Sequence, residues 1–290
     1  MRKVLIPTYK MGLKILGGSG IGSFYPVKII NKFIICHLKS SFVEIQGHKM
    51  FLDPKDSLLL SIIGTYEPFE TELVKKETKK GDVVLDLGAN IGYYTLIFAK
   101  LVGEKGKVFA FEPEPDNFAL LKRNVEINGY KNVVPVQKAV SNKTGRLRLH
   151  LCEDSAGGHS IYPFESSQDN GQSIEIEATR LDDYFSTYDG KIDFIKIDIE
   201  GAEKGAIQGM SSLLKKNKNV KVVTEFNSPL LRQGGTEPEE YLKLLTEFGF
   251  KLYEVSEREK KIKAVDIPKF LEVYAPSRRK CTNLLCIREK

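Results

Sequence analysis

The chain has 290 residues, of which 41% are hydrophobic and 28% charged, enough for one large core or for a domain with an extension. No apolar run approaches the ~18–20 residues needed to cross a bilayer; 58–63 and 33–36 are core-sized. Nothing near the N-terminus combines a long apolar stretch with a small-residue cleavage site, so a cytoplasmic protein is expected.

The net charge of +6 is unevenly placed. Arg2, Lys3, Lys10, Lys14, Lys28, Lys32 and Lys39 give the first 40 residues +7 with no acid among them, and the remaining 250 sum to −1. The body is therefore no nucleic-acid-coating surface. Residues 1–65 read as a basic extension of helices plus a short hairpin, with apolar residues at mixed helical spacing over 1–16 and 26–38. Its lysines are either a solvated fringe on packed helices or a peripheral attachment to an anionic membrane face. Gly17-Gly-Ser-Gly-Ile-Gly22 has no buried strand before it and no Lys-Ser or Lys-Thr after it, so it reads as a hinge rather than a phosphate loop. Cys36, Cys152, Cys281 and Cys286 are scattered without C-x-x-C pairing, which indicates neither zinc nor a disulfide framework.

Residues 66–290 carry the chemistry. A strand at 82–87 ends on Asp86, turns through Gly88, Ala89, Asn90 and Gly92, and enters a helix at Tyr93 that extends to about 102. Small residues between strand and helix let a ligand approach the backbone, and the helix N-terminus points N–H groups at it. The spacing D-x-G-x-N-x-G differs from the G-x-G-x-x-G of dinucleotide sites. An acid beside the turn suits a cationic or zwitterionic ligand better than a pyrophosphate, and S-adenosylmethionine is such a ligand. A second strand, 107–112, ends in Glu112, which lies 20 residues after Gly92, about where a nucleotide-binding unit places its ribose-binding carboxylate. The bland alternative is an acid capping the helix expected at 116–128.

Strands follow at 132–137 and 192–198, a helix at 200–216, a strand at 220–226, a helix at 238–248, and strands at 250–255 and 282–288. This alternation requires a doubly wound, mostly parallel α/β sheet covered on both faces. Residues 146–151 and 173–178 alternate like a hairpin. Their connection, 152–172, is rich in Gly, Ser and Asp, the composition of a loop or lid. Ligands bind such sheets where strand order reverses, here between the strands ending at Asp86 and Asp198. Strand alternation puts Lys196 and Asp198 on one side, and an extended continuation would add Glu200. Glu203 opens the next helix, where stabilising the helix dipole would account for it, and Glu225 and Asn227 end the next strand.

Three runs carry a family likeness: Asp86-Leu-Gly-Ala-Asn-Ile-Gly-Tyr-Tyr-Thr95, Phe111-Glu112-Pro113, and Ile195-Lys-Ile-Asp-Ile-Glu-Gly-Ala-Glu203. They resemble the FkbM family of S-adenosylmethionine-dependent methyltransferases, and the likeness runs from about Gly47 to Leu285. The resemblance implies a seven-stranded, Rossmann-like class I methyltransferase sheet with one antiparallel edge strand, and O-methylation of a small molecule or glycan. No Asn-Pro-Pro-Tyr or Asp-Pro-Pro-Tyr follows the fourth strand, which argues against nucleic-acid methylation. The expected cofactor residues are Asp86, Gly88, Ala89, Asn90, Gly92 and Tyr93 at the methionine end, Glu112 at the ribose, Lys138 and Ala139 beside the adenine, and Asp198 at the reactive end. A hydroxyl needs a base to take its proton; Asp198, Glu200, Glu225 and His159 are candidates, in that order. The acids could also hold a divalent metal, but a cluster of acids is not a coordination geometry, so none is assigned. A catalytically silent S-adenosylmethionine-binding protein and an NAD-dependent oxidoreductase are the alternatives. The glycine-rich loop is expected to close over the acceptor, Tyr162 stacking on it and His159 reaching its hydroxyl.

Overall fold

The computed structural model describes residues 40–153, 155–163, 169–275 and 281–289. The chain divides into two compact units, Met1–Tyr66 and Glu67–Lys290. The helices expected within 1–38, the glycine run at 17–22 and Cys36 lie outside the described residues. In the first unit, β1 (Phe42–Ile45) and β2 (His48–Phe51) pair antiparallel. The residues joining them, Gln46 and Gly47, both have positive φ (54° and 77°), the turn geometry that suits the twist of a hairpin. A single helical turn, α1 (Leu60–Ile63), follows two Asp-anchored bends, in which Asp53 accepts from Ser57 and Asp56 from Ser61.

The second unit opens with α2 (Pro68–Glu77), its proline at the first turn where a missing N–H costs nothing. Next come β3 (Val83–Leu87), α3 (Tyr93–Val102), β4 (Lys107–Phe111), α4 (Pro115–Ile127) and β5 (Val133–Val136). A small sheet follows, in which β6 (Ala139–Val140) and β7 (Gly145–Cys152) flank β8 (Asp169–Thr179), and then α5 (Leu181–Tyr184). The chain returns to the main sheet with β9 (Phe194–Ile197), α6 (Glu203–Gly209), α7 (Ser211–Lys216) and β10 (Lys221–Asn227). It ends with α8 (Ser228–Gln233), α9 (Pro238–Glu247), β11 (Lys251–Ser256), β12 (Lys261–Ala264), α10 (Ile267–Tyr274) and β13 (Cys281–Ile287).

The main sheet has the order β12-β11-β13-β10-β9-β3-β4-β5. Neighbours from β10 to β5 are parallel, whereas β13 runs antiparallel to both β10 and β11. The doubly wound α/β class stands, with three corrections. The sheet has eight strands among the described residues rather than seven, because β12 adds an exposed edge by folding back on β11. The strand expected at the antiparallel edge, β13, lies inside the sheet, and the antiparallel edge strand is β12; in β13, Asn283, Leu284, Leu285 and Cys286 are buried in succession, the pattern of a strand covered on both faces. The helix expected over 200–216 is two short ones, α6 and α7. At the break, Gly209 lies so close to Ser141 that a Cβ there would sit 2.0 Å from its carbonyl oxygen.

Strands β3, β9 and β10 form the centre, where Leu85, Ile195 and Val222 are completely buried. From β3 the chain winds outward to β4 and β5; from β9 it winds the other way to β10. The carboxyl ends of β3 and β9 therefore face the crevice at which the winding reverses.

Candidate active site

The turn after β3 is built from left-handed backbone: φ is 81° at Gly88, 50° at Asn90 and 95° at Gly92. Gly88 and Ala89 donate their N–H groups to the Phe111 carbonyl at 3.0 and 2.9 Å, binding the turn to the end of β4. The reason Gly88 must be glycine differs from the expectation. A Cβ there would sit 1.9 Å from the Asp198 carbonyl oxygen, so the position is reserved for the close approach of the β9 turn rather than for a ligand. A Cβ on Gly92 would meet Leu121 of α4 at 2.9 Å.

Glu112 is buried just beyond β4. One carboxylate oxygen accepts the Asn90 N–H at 2.8 Å and the other accepts the Glu114 N–H at 2.9 Å. Burial raises its pKa to about 7, while the Glu114 and Asn90 amides oppose that rise. The helix cap, the competing explanation for this acid, belongs to Glu114, whose side chain accepts from Asn117 N–H at 2.7 Å at the start of α4. Each oxygen of Glu112 keeps accepting capacity beyond these two bonds.

Asp86 is buried in β3 and accepts from the Thr95 hydroxyl at 2.5 Å. Burial lifts its pKa to about 6 against the pull of Lys196 and Thr95. Lys196, directly across the ladder from Asp86, is the centre of the charge arrangement. Its ammonium bonds to Asp198 at 2.9 Å, pairs with buried Glu70 at 3.7 Å, and lies 4.4 Å from the centre of the Tyr94 ring. Burial works against the ammonium, but Asp198, Glu70, Glu67 and Asp86 together hold its pKa above the ordinary lysine value. Glu67 accepts from the Tyr94 hydroxyl at 3.3 Å and from Asn283 at 3.1 Å.

The acids outnumber the charge that compensates them. Burial, followed by the charges of Asp198 and its neighbours, pushes Glu200 and Glu225 well above the carboxylate range. Glu67 rises to about 8, first through burial and then through Glu70. One oxygen of Glu225 is buried and accepts no hydrogen bond among the described residues. Glu200 reaches this group by a different route from the expected one. β9 stops at Ile197, and Glu200 takes a left-handed conformation (φ 52°) before Gly201 (φ 96°). Glu203 holds that turn, accepting from Ile199 N–H at 3.3 Å and Gly201 N–H at 3.2 Å.

The described part of the 152–172 connection lies across this rim. Asn117 donates to the Ala156 carbonyl at 2.7 Å, and Ser160 donates to the Glu200 carbonyl at 2.8 Å. Gly157 packs on Asn90, whose amide nitrogen would be 2.9 Å from a Cβ at that position. His159 accepts the Cys152 N–H on Nδ1 at 3.0 Å, which fixes its ring within the loop. The Tyr162 ring lies against Gly234, where a Cβ would meet it at 2.7 Å, so its stacking partner here is protein.

The structure thus brings together Asp86, Gly88, Ala89, Asn90, Gly92, Glu112, Asp198, Glu200 and Glu225. It directs three expected residues elsewhere. The Tyr93 side chain is buried with its hydroxyl 3.2 Å from Thr71. Lys138 extends to Glu177 of β8 at 2.8 Å, and Ala139 is packed into the small sheet, because the chain after β5 enters β6 at once. Sequence reasoning missed Glu67, Glu70, Tyr94 and Asn283, and read Lys196 only as part of a pattern. A lysine inside the apolar run Phe-Ile-Lys-Ile of a central strand was the available signal, since a buried ammonium demands acids around it.

A family model described as the Methyltransferase FkbM domain matches residues 86–252. The hexuronic acid methyltransferase AglP of Haloferax volcanii is 28% identical over 176 residues, covering 60% of this chain and 66% of that protein. The 31-O-demethyl-FK506 methyltransferase FkbM of Streptomyces tacrolimicus is 29% identical over 161 residues, covering 46% of this chain and 61% of that one. The 2-O-methyltransferase NoeI of Sinorhizobium fredii is 28% identical over 191 residues, covering 61% and 76%. The chain therefore spans a little under two thirds of AglP and of FkbM. With the match extending over more than half of its residues, from the acid of the first strand to the start of β11, the chain belongs to the FkbM methyltransferase family.

Proposed function

We propose that the protein transfers a methyl group from S-adenosylmethionine to a hydroxyl of a small-molecule or glycan acceptor. The observation behind this reading is the charge balance at the crevice. One buried ammonium, Lys196, lies among Glu67, Glu70, Asp86 and Asp198, with Glu200 and Glu225 beside them. One cation does not hold so many buried carboxyls ionised, so their pKa values are raised, and a ligand bearing a sulfonium and an ammonium favours their ionised forms. The backbone of Gly88, Ala89, Asn90 and Gly92 borders the methionine end. Glu112, already oriented by two amides, accepts from the ribose hydroxyls.

When bound, S-adenosylmethionine supplies a methyl on a positively charged sulfur that leaves with the C–S electron pair. The residues of the chain do the rest. As the acceptor's oxygen forms its bond to the methyl carbon, its O–H bond breaks and the proton passes to a carboxylate of the rim. Asp198, Glu200 and Glu225 are positioned for that step, with Lys196 fixing the direction of Asp198. The loop at 155–163 limits water at the crevice, and His159, oriented by the Cys152 amide, is its contribution to the acceptor's hydroxyl. The likeness to the 31-O-demethyl-FK506 methyltransferase FkbM and the 2-O-methyltransferase NoeI supports an oxygen acceptor. Peripheral membrane contact, if made, belongs to the basic residues of the N-terminal extension; among the described residues no helix is long and apolar enough to cross a membrane.

Calorimetric titration with S-adenosylmethionine and with NAD, followed by mass spectrometry of metabolite and glycan extracts treated with labelled methyl donor, tests the proposal. S-adenosylmethionine should bind and label should appear on oxygen. Binding of NAD alone, or binding of S-adenosylmethionine without any labelled product, would overturn it.

A further inference from the structure

A cavity of about 770 Å³ opens beside the acid rim, walled by β10, β11, β12, β13 and α10. It reaches the rim through two residues that line it, Glu67 and Glu225, but neither the Gly88 turn nor Glu112 borders it. A ligand there would touch the reacting end of the crevice while leaving the cofactor cradle clear. Most of its wall, from Glu254 through Asn283, lies beyond residue 252, where the family match ends.

Its chemistry is lopsided. Six carboxylates line it, those of Glu67, Glu225, Glu254, Glu257, Glu259 and Asp266, against three cations. Glu259 is paired with Lys263 at 2.6 Å, and Glu257 with Lys260 at 2.6 Å. That leaves Glu67, Glu225, Glu254 and Asp266 facing Arg258 and Lys269, and an added cation would draw Glu67 and Glu225, which burial keeps protonated more readily than usual, toward their ionised forms. Among them is the Glu225 oxygen that has no hydrogen-bond partner among the described residues, one that a ligand's polar group would satisfy. On the α10 side the wall is apolar and aromatic: Tyr274 lies beside Phe270 with ring centres 4.5 Å apart, and its hydroxyl donates to Glu254 at 2.5 Å. An apolar ring face opposite a row of hydrogen-bond acceptors suits a sugar, which has a C–H face and a hydroxyl edge.

We propose that this cavity holds the acceptor and that the acceptor is a polyhydroxylated molecule bearing an amine, an amino sugar rather than a uronate. The inference rests on the methyl-transfer reading and sharpens it. An ammonium within a few ångströms of Glu254 gains attraction and favours the ionised form of Glu225, whereas a carboxylate there is repelled by Glu254 and gains nothing from Glu225.

The test is a matched panel of oligosaccharides carrying a free amine, an N-acetyl group or a uronate at one position, each assayed with labelled methyl donor and by calorimetry. The amine series should exceed the uronate series in kcat/KM by at least about tenfold, with the N-acetyl series between. Glu254→Gln keeps an acceptor for Tyr274 but removes the charge. It should shrink the amine-over-uronate ratio to about threefold or less, with S-adenosylmethionine affinity unmoved. Equal or reversed ratios, methylation of no panel member, or a ratio insensitive to Glu254→Gln would overturn the acceptor assignment while leaving cofactor binding intact. Label found on nitrogen would instead overturn the oxygen-transfer reading and leave the amine assignment standing.

Discussion

The two sides of the crevice manage buried carboxylates in opposite ways. On the β4 side, Glu112 is held by two backbone amides, and Glu114 and Asn90 are each fixed by bonds to neighbouring backbone. These bonds fix the acid before any ligand arrives, which suits the cofactor cradle proposed above. On the β9 and β10 side, acids crowd round one lysine, and one oxygen of Glu225 has no hydrogen-bond partner among the described residues. On that side burial and mutual repulsion raise the acids' pKa values, so a cationic ligand would compete there with protons. The two sides lie about two strand spacings apart, with β3 between them.

The sharpest way to break this comparison is at Asp198. Asp198→Asn should lower turnover by about two to four orders of magnitude while changing S-adenosylmethionine affinity far less. Equal losses in both would place Asp198 in the cradle and erase the distinction. Next is the lysine. Lys196→Met leaves several buried acids without their cation and should cost about 3–5 kcal/mol in denaturant unfolding, whereas Lys138→Met, at a half-exposed surface pair, should cost about 1 kcal/mol or less. Comparable losses would mean that Lys196 is no keystone. On the binding side, Glu112→Ala should weaken S-adenosylmethionine by ~1.5–3 kcal/mol, about 10- to 150-fold, with turnover at saturation little changed. Calorimetry on the folded variant decides it.

The smallest effect is in the pH dependence of stability. Burial raises the pKa of Glu67 to about 8 and of Glu203 to about 7. A carboxyl whose folded pKa is raised binds its proton more tightly in the native state than in the unfolded chain. Its stabilising contribution is therefore full below about pH 4.5 and is lost as pH climbs through 7 and 8. The melting temperature of the ligand-free protein should fall across that window, and Glu67→Gln should flatten the slope. A melting curve that rises from pH 5 to 8 would contradict the buried acid cluster.

Much of the binding side was legible in the sequence, because it is local: Asp86, the glycine turn and the helix start follow one another, and Glu112 comes at the next strand end. The chemical side is assembled from distant segments. Glu67 and Glu70 precede Asp86 with no motif to mark them, and Asn283 meets Glu67 from the other end of the unit. Lys138 and Ala139 were misplaced for the converse reason. Proximity to a strand end suggested the rim, but the immediate entry into β6 carries both into another sheet. β12 was missed because it is a four-residue exposed edge: Lys261-Ile262-Lys263-Ala264 alternates, but it carries only one large apolar residue to mark a strand.

The placement of β13 has a consequence for how the chain acquires its structure. β10 and β11 are not neighbours; each pairs with β13, which arrives from beyond both of them in the chain. Until residues 281–287 insert, both strands present open edges with unsatisfied amides and carbonyls. The half from β3 to β9, whose strands pair without β13, has no such dependence. The late-forming half is thus the vulnerable one during synthesis and refolding, since exposed strand edges template pairing with other chains. A chain interrupted after residue 275 should accumulate as aggregate. Supplied in trans, a peptide of residues 281–289 would have a ready-made slot between two waiting strands.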